Sequence, residues 1–66
     1  MILKVVQGLS RTIANYKVVY ESGNVRHYTH NNVPKSVIKF CNTHRPVTNR
    51  IRNDWVVNTY IYNNEV

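Results

Sequence analysis

Acidic side chains are nearly missing from this chain. Glu21, Asp54 and Glu65 stand alone against nine lysines and arginines, a formal net charge of +6 at pH 7 with the histidines neutral. No two of these acids are near each other in sequence, which argues against a catalytic carboxylate pair. Cysteine is equally scarce. Cys41 is alone, so there is no internal disulfide framework, and a reducing, cytoplasmic setting is expected. With two glycines and two prolines there is no linker, repeat or low-complexity tract, and the 42% hydrophobic content belongs to a chain that folds. Long apolar runs are missing as well: none approaches the ~20 residues of a membrane helix. The apolar start at Met1 is broken by Lys4 and Gln7 and lacks the features of a signal peptide, so a soluble protein with no membrane partner is expected. No Gly-rich phosphate loop and no nucleophile motif is present.

What remains is a single small basic domain spanning 1–66. A chain of this length buries only about 60% of its unfolded surface, so its core must be economical or shared with a second subunit. Ile2 to Gln7 reads as a strand closed by Gly8 and Ser10-Arg11, and Ile13 to Tyr20 as a second, dense in β-branched and aromatic residues. Glu21-Ser22-Gly23-Asn24 makes a hairpin turn, with Gly23 supplying positive φ, and Val25 to His30 returns as a third strand. Asn31-Asn32-Val33-Pro34 offers an Asn N-cap with Pro in the first helical turn. From Pro34 to about Thr43, Val33, Val37, Phe40 and Cys41 then fall on one side of a helix, with Ile38 at the border and Lys35, Lys39 and Asn42 opposite. Pro46 prevents continuation, and His44 and Arg45 suit the negative end of the helix dipole. Val47 to Asp54 reads as a basic connection, and Trp55 to Tyr62 as a last strand with Trp55, Val57 and Ile61 on one face and Val56, Asn58, Tyr60 and Tyr62 on the other. The expected fold is α+β, a small antiparallel sheet with one covering helix, in the order β-β-β-α-β.

Function then depends on which side chains share a face. A two-residue turn at Ser22-Gly23 or Gly23-Asn24 puts Tyr16, Val18 and Tyr20 with Val25, His27 and Thr29 against the helix. Lys17 then lies with Arg26, Tyr28 and His30 on the opposite face, extended by Tyr60 and Tyr62 if the last strand is alongside. A three-residue loop would break this arrangement. Cations that hold phosphates beside an aromatic stacking surface suit single-stranded nucleic acid. Arg45, Arg50 and Arg52 form a second basic cluster suited to phosphate or to an acidic protein. An exposed sheet face or edge carrying Tyr60, Ile61 and Tyr62 would be covered economically by a homodimer mate.

The histidines raise two further readings, neither adopted. His27, His30, Cys41 and His44 have a superficially zinc-like spacing, but His27 and His30 point to opposite faces of a strand, so no metal and no cofactor is expected. General acid–base cleavage of RNA by His30 and His44 lacks any supporting motif, and Cys41 lies on the apolar stripe of the helix, so the chain reads as non-enzymatic.

Asparagine is unusually frequent, beside five tyrosines and many isoleucines and valines. Segments such as Tyr16 to Asn24 and Asn58 to Asn64 resemble the small accessory proteins of T4-like bacteriophages in style, size and composition. That resemblance implies a host-takeover or anti-defence factor. The leading expectation is a nucleic-acid-binding module, RNA or single strand favoured because no helix-turn-helix or finger pattern is present, acting through Lys17, Arg26, Tyr28, His30, Arg45, Arg50 and Arg52. The alternative is an inhibitor that binds an acidic host protein such as a restriction or CRISPR effector, a toxin–antitoxin component or a transcription enzyme.

Overall fold

The computed structural model describes residues 1–65. The chain runs β1 (Ile2–Leu9), β2 (Ala14–Tyr20), β3 (Val25–Thr29), α1 (Lys35–Thr43), β4 (His44–Arg52) and β5 (Trp55–Glu65). The strands form one antiparallel sheet in the order β3-β2-β1-β5-β4, so β1 is central and β3 and β4 are the edges. The α+β class and the β-β-β-α-β order are as the sequence indicates, with one strand added. The segment read as a basic connection is β4, which pairs with β5 from Arg52 opposite Trp55 back to His44 opposite Glu65. Asn53 and Asp54 join the two strands, both at positive φ (49° and 69°), the backbone of a two-residue hairpin. Asn and Asp tolerate that conformation better than other non-glycine residues, which is why this pair turns the chain without a glycine.

The first hairpin differs by one residue from the expected geometry. Val19 pairs with Val25, Val18 with Arg26, Lys17 with His27 and Tyr16 with Tyr28. Tyr20 N–H donates to the Asn24 carbonyl and Gly23 N–H to the Tyr20 carbonyl, leaving Glu21-Ser22-Gly23 as a three-residue loop with Gly23 at φ 90°. The extra residue moves every β3 side chain to the other face. Tyr16, Val18 and Tyr20 therefore share their face with Arg26 and Tyr28, whereas Lys17 shares its face with His27.

Helix α1 begins without a side-chain cap. Pro34, still extended at ψ 151°, is itself the N-cap, in place of the Asn cap with Pro inside the first turn. The amphipathic stripe docks as the spacing predicts: Val37 and Phe40 are buried against Val5, Tyr16 and Val18, with Val33 and Cys41 beside them. At the far end Nδ1–H of the buried His44 donates to the Phe40 carbonyl at 2.7 Å, and the two rings stack with centroids 3.8 Å apart. This closes one of the carbonyls that a helix C-terminus leaves open. On the same side of the sheet as the helix lies a polar cluster. Gln7 Oε1 accepts from Asn58 Nδ2 at 3.3 Å and Tyr60 Oη at 3.2 Å, while Gln7 Nε2 donates to Tyr16 Oη at 3.3 Å.

Nine helical residues span about 13 Å, and five strands span roughly 19 Å. One helix therefore covers part of one face, and no element among the described residues lies over the other. No helix among them is long and apolar enough to cross a membrane.

The positive φ at Asp54 has a measurable consequence. Asp54→Gly removes the steric penalty of a left-handed L-residue and is expected to raise stability by about 1 kcal/mol, a Tm increase of roughly 4–8 °C for a domain of this size. Thermal unfolding followed by circular dichroism checks it, with Asn53→Val, a β-branched residue at positive φ, expected to lower Tm.

Candidate functional site

The sheet register sorts the cations into separate groups. On the face away from the helix, Lys17 of β2 lies beside Val6 of β1, which pairs with Thr59 of β5, itself opposite Thr48 of β4. One step along, Asn15, Gly8, Val57 and Arg50 form the next row, and Arg52 lies opposite Trp55. Lys4 pairs with Val19 and with Ile61 on the same face, and His27 with Lys17. The open face thus carries Lys4, Lys17, His27, Arg50 and Arg52 around a floor of Val6, Val57 and Thr59. Glu21 and Asp54 lie in turns, and Glu65 reaches toward His44, its carboxylate 3.8 Å from Nε2. None of the three acids belongs to the paired rows of this face.

The expected grouping of Lys17 with Arg26, Tyr28 and His30 does not form, because the three-residue turn divides it. Lys17 stays on the open face. Arg26 and Tyr28 are on the helix side, where they line a separate depression of about 620 Å³ with Tyr20 and Asn24 at the hairpin tip. There Tyr28 Oη lies 3.3 Å from Tyr20 Oη. This hydrogen bond, followed by burial, raises the Tyr20 pKa above its ordinary value. His30 lies past the end of β3, exposed, its N–H donating to the Ala14 carbonyl at 2.9 Å. Tyr60 is also on the helix side, packed against the core with its pKa raised chiefly by burial, so it does not extend a platform on the open face.

The second cluster also separates. Arg50 and Arg52 share the open face through their pairs Val57 and Trp55, whereas Arg45 sits beyond two register shifts, at the other end of β4. At the rise of an extended strand, Arg45 is roughly 17 Å from Arg50 along the chain. The open face gains three residues not assigned to a site from the sequence: Lys4, His27 and Trp55. Alternation within β1 and β5 would have grouped Lys4, Val6, Val57 and Trp55, had those two strands been placed side by side.

Trp55 has a defined seat. A Cβ built on Gly8 would stand 3.4 and 3.5 Å from Cε3 and Cζ3 of Trp55, ordinary van der Waals distances, so the indole rests over Gly8 of β1. The ring is nevertheless half-buried only, in contact with solvent on a face with no covering layer. Next to it Val6, Gly8, Asn15, Lys17, His27 and Val57 outline a shallow depression of about 440 Å³.

The remaining reactive groups are dispersed. His30 follows β3 and His44 begins β4; these strands run parallel on opposite edges, which puts the two histidines at opposite corners. Among the described residues no three His, Cys, Asp or Glu side chains come together in a way that could hold a metal ion. Cys41 is half-buried beside the core, and burial pushes its thiol up from 9.0 to about 11. The neutral thiol is thus favoured by the folded state. That contribution to stability is complete below the unfolded value near 9 and is lost as pH rises toward 11. Cys41→Ala is expected to flatten the fall in urea midpoint over this window, leaving the part due to Tyr20 and Tyr60, and the native thiol should react slowly with iodoacetamide at pH 8.

Compared with protein-family models, curated proteins and solved structures, the chain matches none.

Proposed function

We propose that this protein is a non-enzymatic nucleic-acid-binding module, and that it binds through the open face of its sheet. The observation that carries this reading is the placement of Lys4, Lys17, Arg50 and Arg52 in four successive rows across one uncovered face whose paired rows contain no acid. Such a face attracts a polyanion at long range and holds phosphates at short range. Two of the four cations are arginines, whose planar guanidinium suits phosphate geometry. A second copy of the same face is a poor occupant, since like charges would meet with no acid between them. Within this reading, the resemblance to phage accessory proteins would make the module a factor acting on nucleic acid or nucleoprotein during host takeover.

Mobility-shift titrations over a range of salt test it. Four phosphate contacts give a slope of log affinity against log salt of about −3 for a single strand, steeper for duplex. Arg50→Ala should weaken binding and reduce the slope by about 1, while Arg26→Ala, on the other face, should leave both nearly unchanged. Binding insensitive to salt, or equal loss from the two variants, overturns the assignment. A protein partner retained from lysate after nuclease treatment, with no binding to oligonucleotide at low salt, would point instead to an acidic protein.

A further inference from the structure

The cations of the open face do not by themselves distinguish a single strand from a duplex, because both present phosphates. Trp55 does. We infer that Trp55 is a base-stacking platform and that the occupant of the open face is therefore single-stranded nucleic acid, an inference that rests on the reading of that face as a nucleic-acid interface. The two-residue turn at Asn53-Asp54 places Trp55 directly opposite Arg52, with Arg50 one pair further along the same face. The benzo edge of the indole lies over Gly8 of β1, close enough that an added Cβ would touch it at van der Waals distance. On its other side the depression formed by Val6, Asn15, Lys17 and Val57 continues the surface toward β2.

The indole therefore lies beside the β4 arginines, Arg52 directly opposite and Arg50 at the next pair, with Lys17 further off on the same face, two strands away on β2. No packing role accounts for it fully. The core is on the opposite face, made of Val5, Tyr16, Val18, Val37 and Phe40, and Trp55 remains half-exposed outside it. An unstacked base offers an apolar π-face of the right kind to cover an indole, its flanking phosphate then falls to Arg52 and Arg50, and a strand that continues across the face reaches Lys17. The bases of a duplex are already stacked on one another and have no free π-face to offer. Contact with a duplex would be made through phosphate alone, leaving the indole wet.

The chain has one tryptophan, so its fluorescence reports on this position alone. Wild-type protein is titrated with a short oligothymidylate, a short oligouridylate and a mixed-sequence DNA duplex, reading both affinity and Trp55 emission. The expected result is quenching by one or both single strands and little by the duplex, with single strand preferred by about ten-fold or more. The two single-stranded arms show whether the sugar matters. Trp55→Ala should reduce single-strand affinity by about 5- to 100-fold while duplex affinity stays within two-fold, and Trp55→Phe should recover part of the loss. The quenching arm needs no variant, so it stands even if Trp55→Ala fails to fold. Salt-dependent binding with equal affinity for strand and duplex, or with unchanged Trp55 emission, overturns this inference and leaves the parent reading in place. Absence of salt-dependent binding to any of the three overturns both.

Discussion

The pairing of β1 with both β2 and β5 is the contact on which the other features depend. β1 joins the β2–β3 hairpin to the β4–β5 hairpin, and without it neither hairpin has a partner sheet. Val5 lies at the middle of this strand, fully buried between its partners Val18 and Tyr60 and beneath the helix. Two-stranded hairpins are marginal on their own, and three or more strands with a hydrophobic face are needed for stability. Because the helix is too short to cover five strands, all of the core is on one side of β1. The other side is left to the solvent, and its composition is free to serve a ligand.

That free side has the character of a surface shaped by electrostatics. Lys4, Lys17 and the Arg50/Arg52 pair come from three different strands, so their shared face is a property of the sheet and of no single local sequence run. Arg26, with Tyr20 and Tyr28, forms a separate depression on the helix side. A net charge of +6 on its own says only that anions will be attracted. The register adds that four of the nine cations share the open face with no acid in its paired rows.

Much of the fold was legible in the residues themselves. The helix showed in the spacing of Val33, Val37, Phe40 and Cys41, and the faces of β5 in the alternation from Trp55 onward. The candidate site was less legible, for two physical reasons. Gly23 is compatible with two- and three-residue turns alike, and one residue decides whether Arg26 and Tyr28 join Lys17 or oppose it. β4 was concealed because Pro46 and the polar stretch around Asn49 dilute its β-branched content, and because Asn53-Asp54 lacks the glycine that usually marks a tight hairpin. Once β4 is read as an edge strand, where Pro and charge are tolerated, both features are ordinary. Long-range pairing supplied the rest: nothing local to Lys4 or Trp55 says that β1 and β5 are neighbours.

The polar cluster around Gln7 bears on how the chain finds this arrangement. A one-residue slip of β1 against its neighbours would carry Gln7 to the outer face and strand the Tyr16 and Tyr60 hydroxyls and Asn58 Nδ2 on the helix side of the sheet. Buried polar groups left without partners are costly, on the order of 1–3 kcal/mol each, whereas a slip between plain valines would be nearly silent. Gln7 thus works as an index mark: it contributes little net attraction, yet it singles out one alignment of three strands. The same alignment brings Lys4, Lys17 and Trp55 onto a common surface, so a side chain on the inner face sets the layout of the outer one.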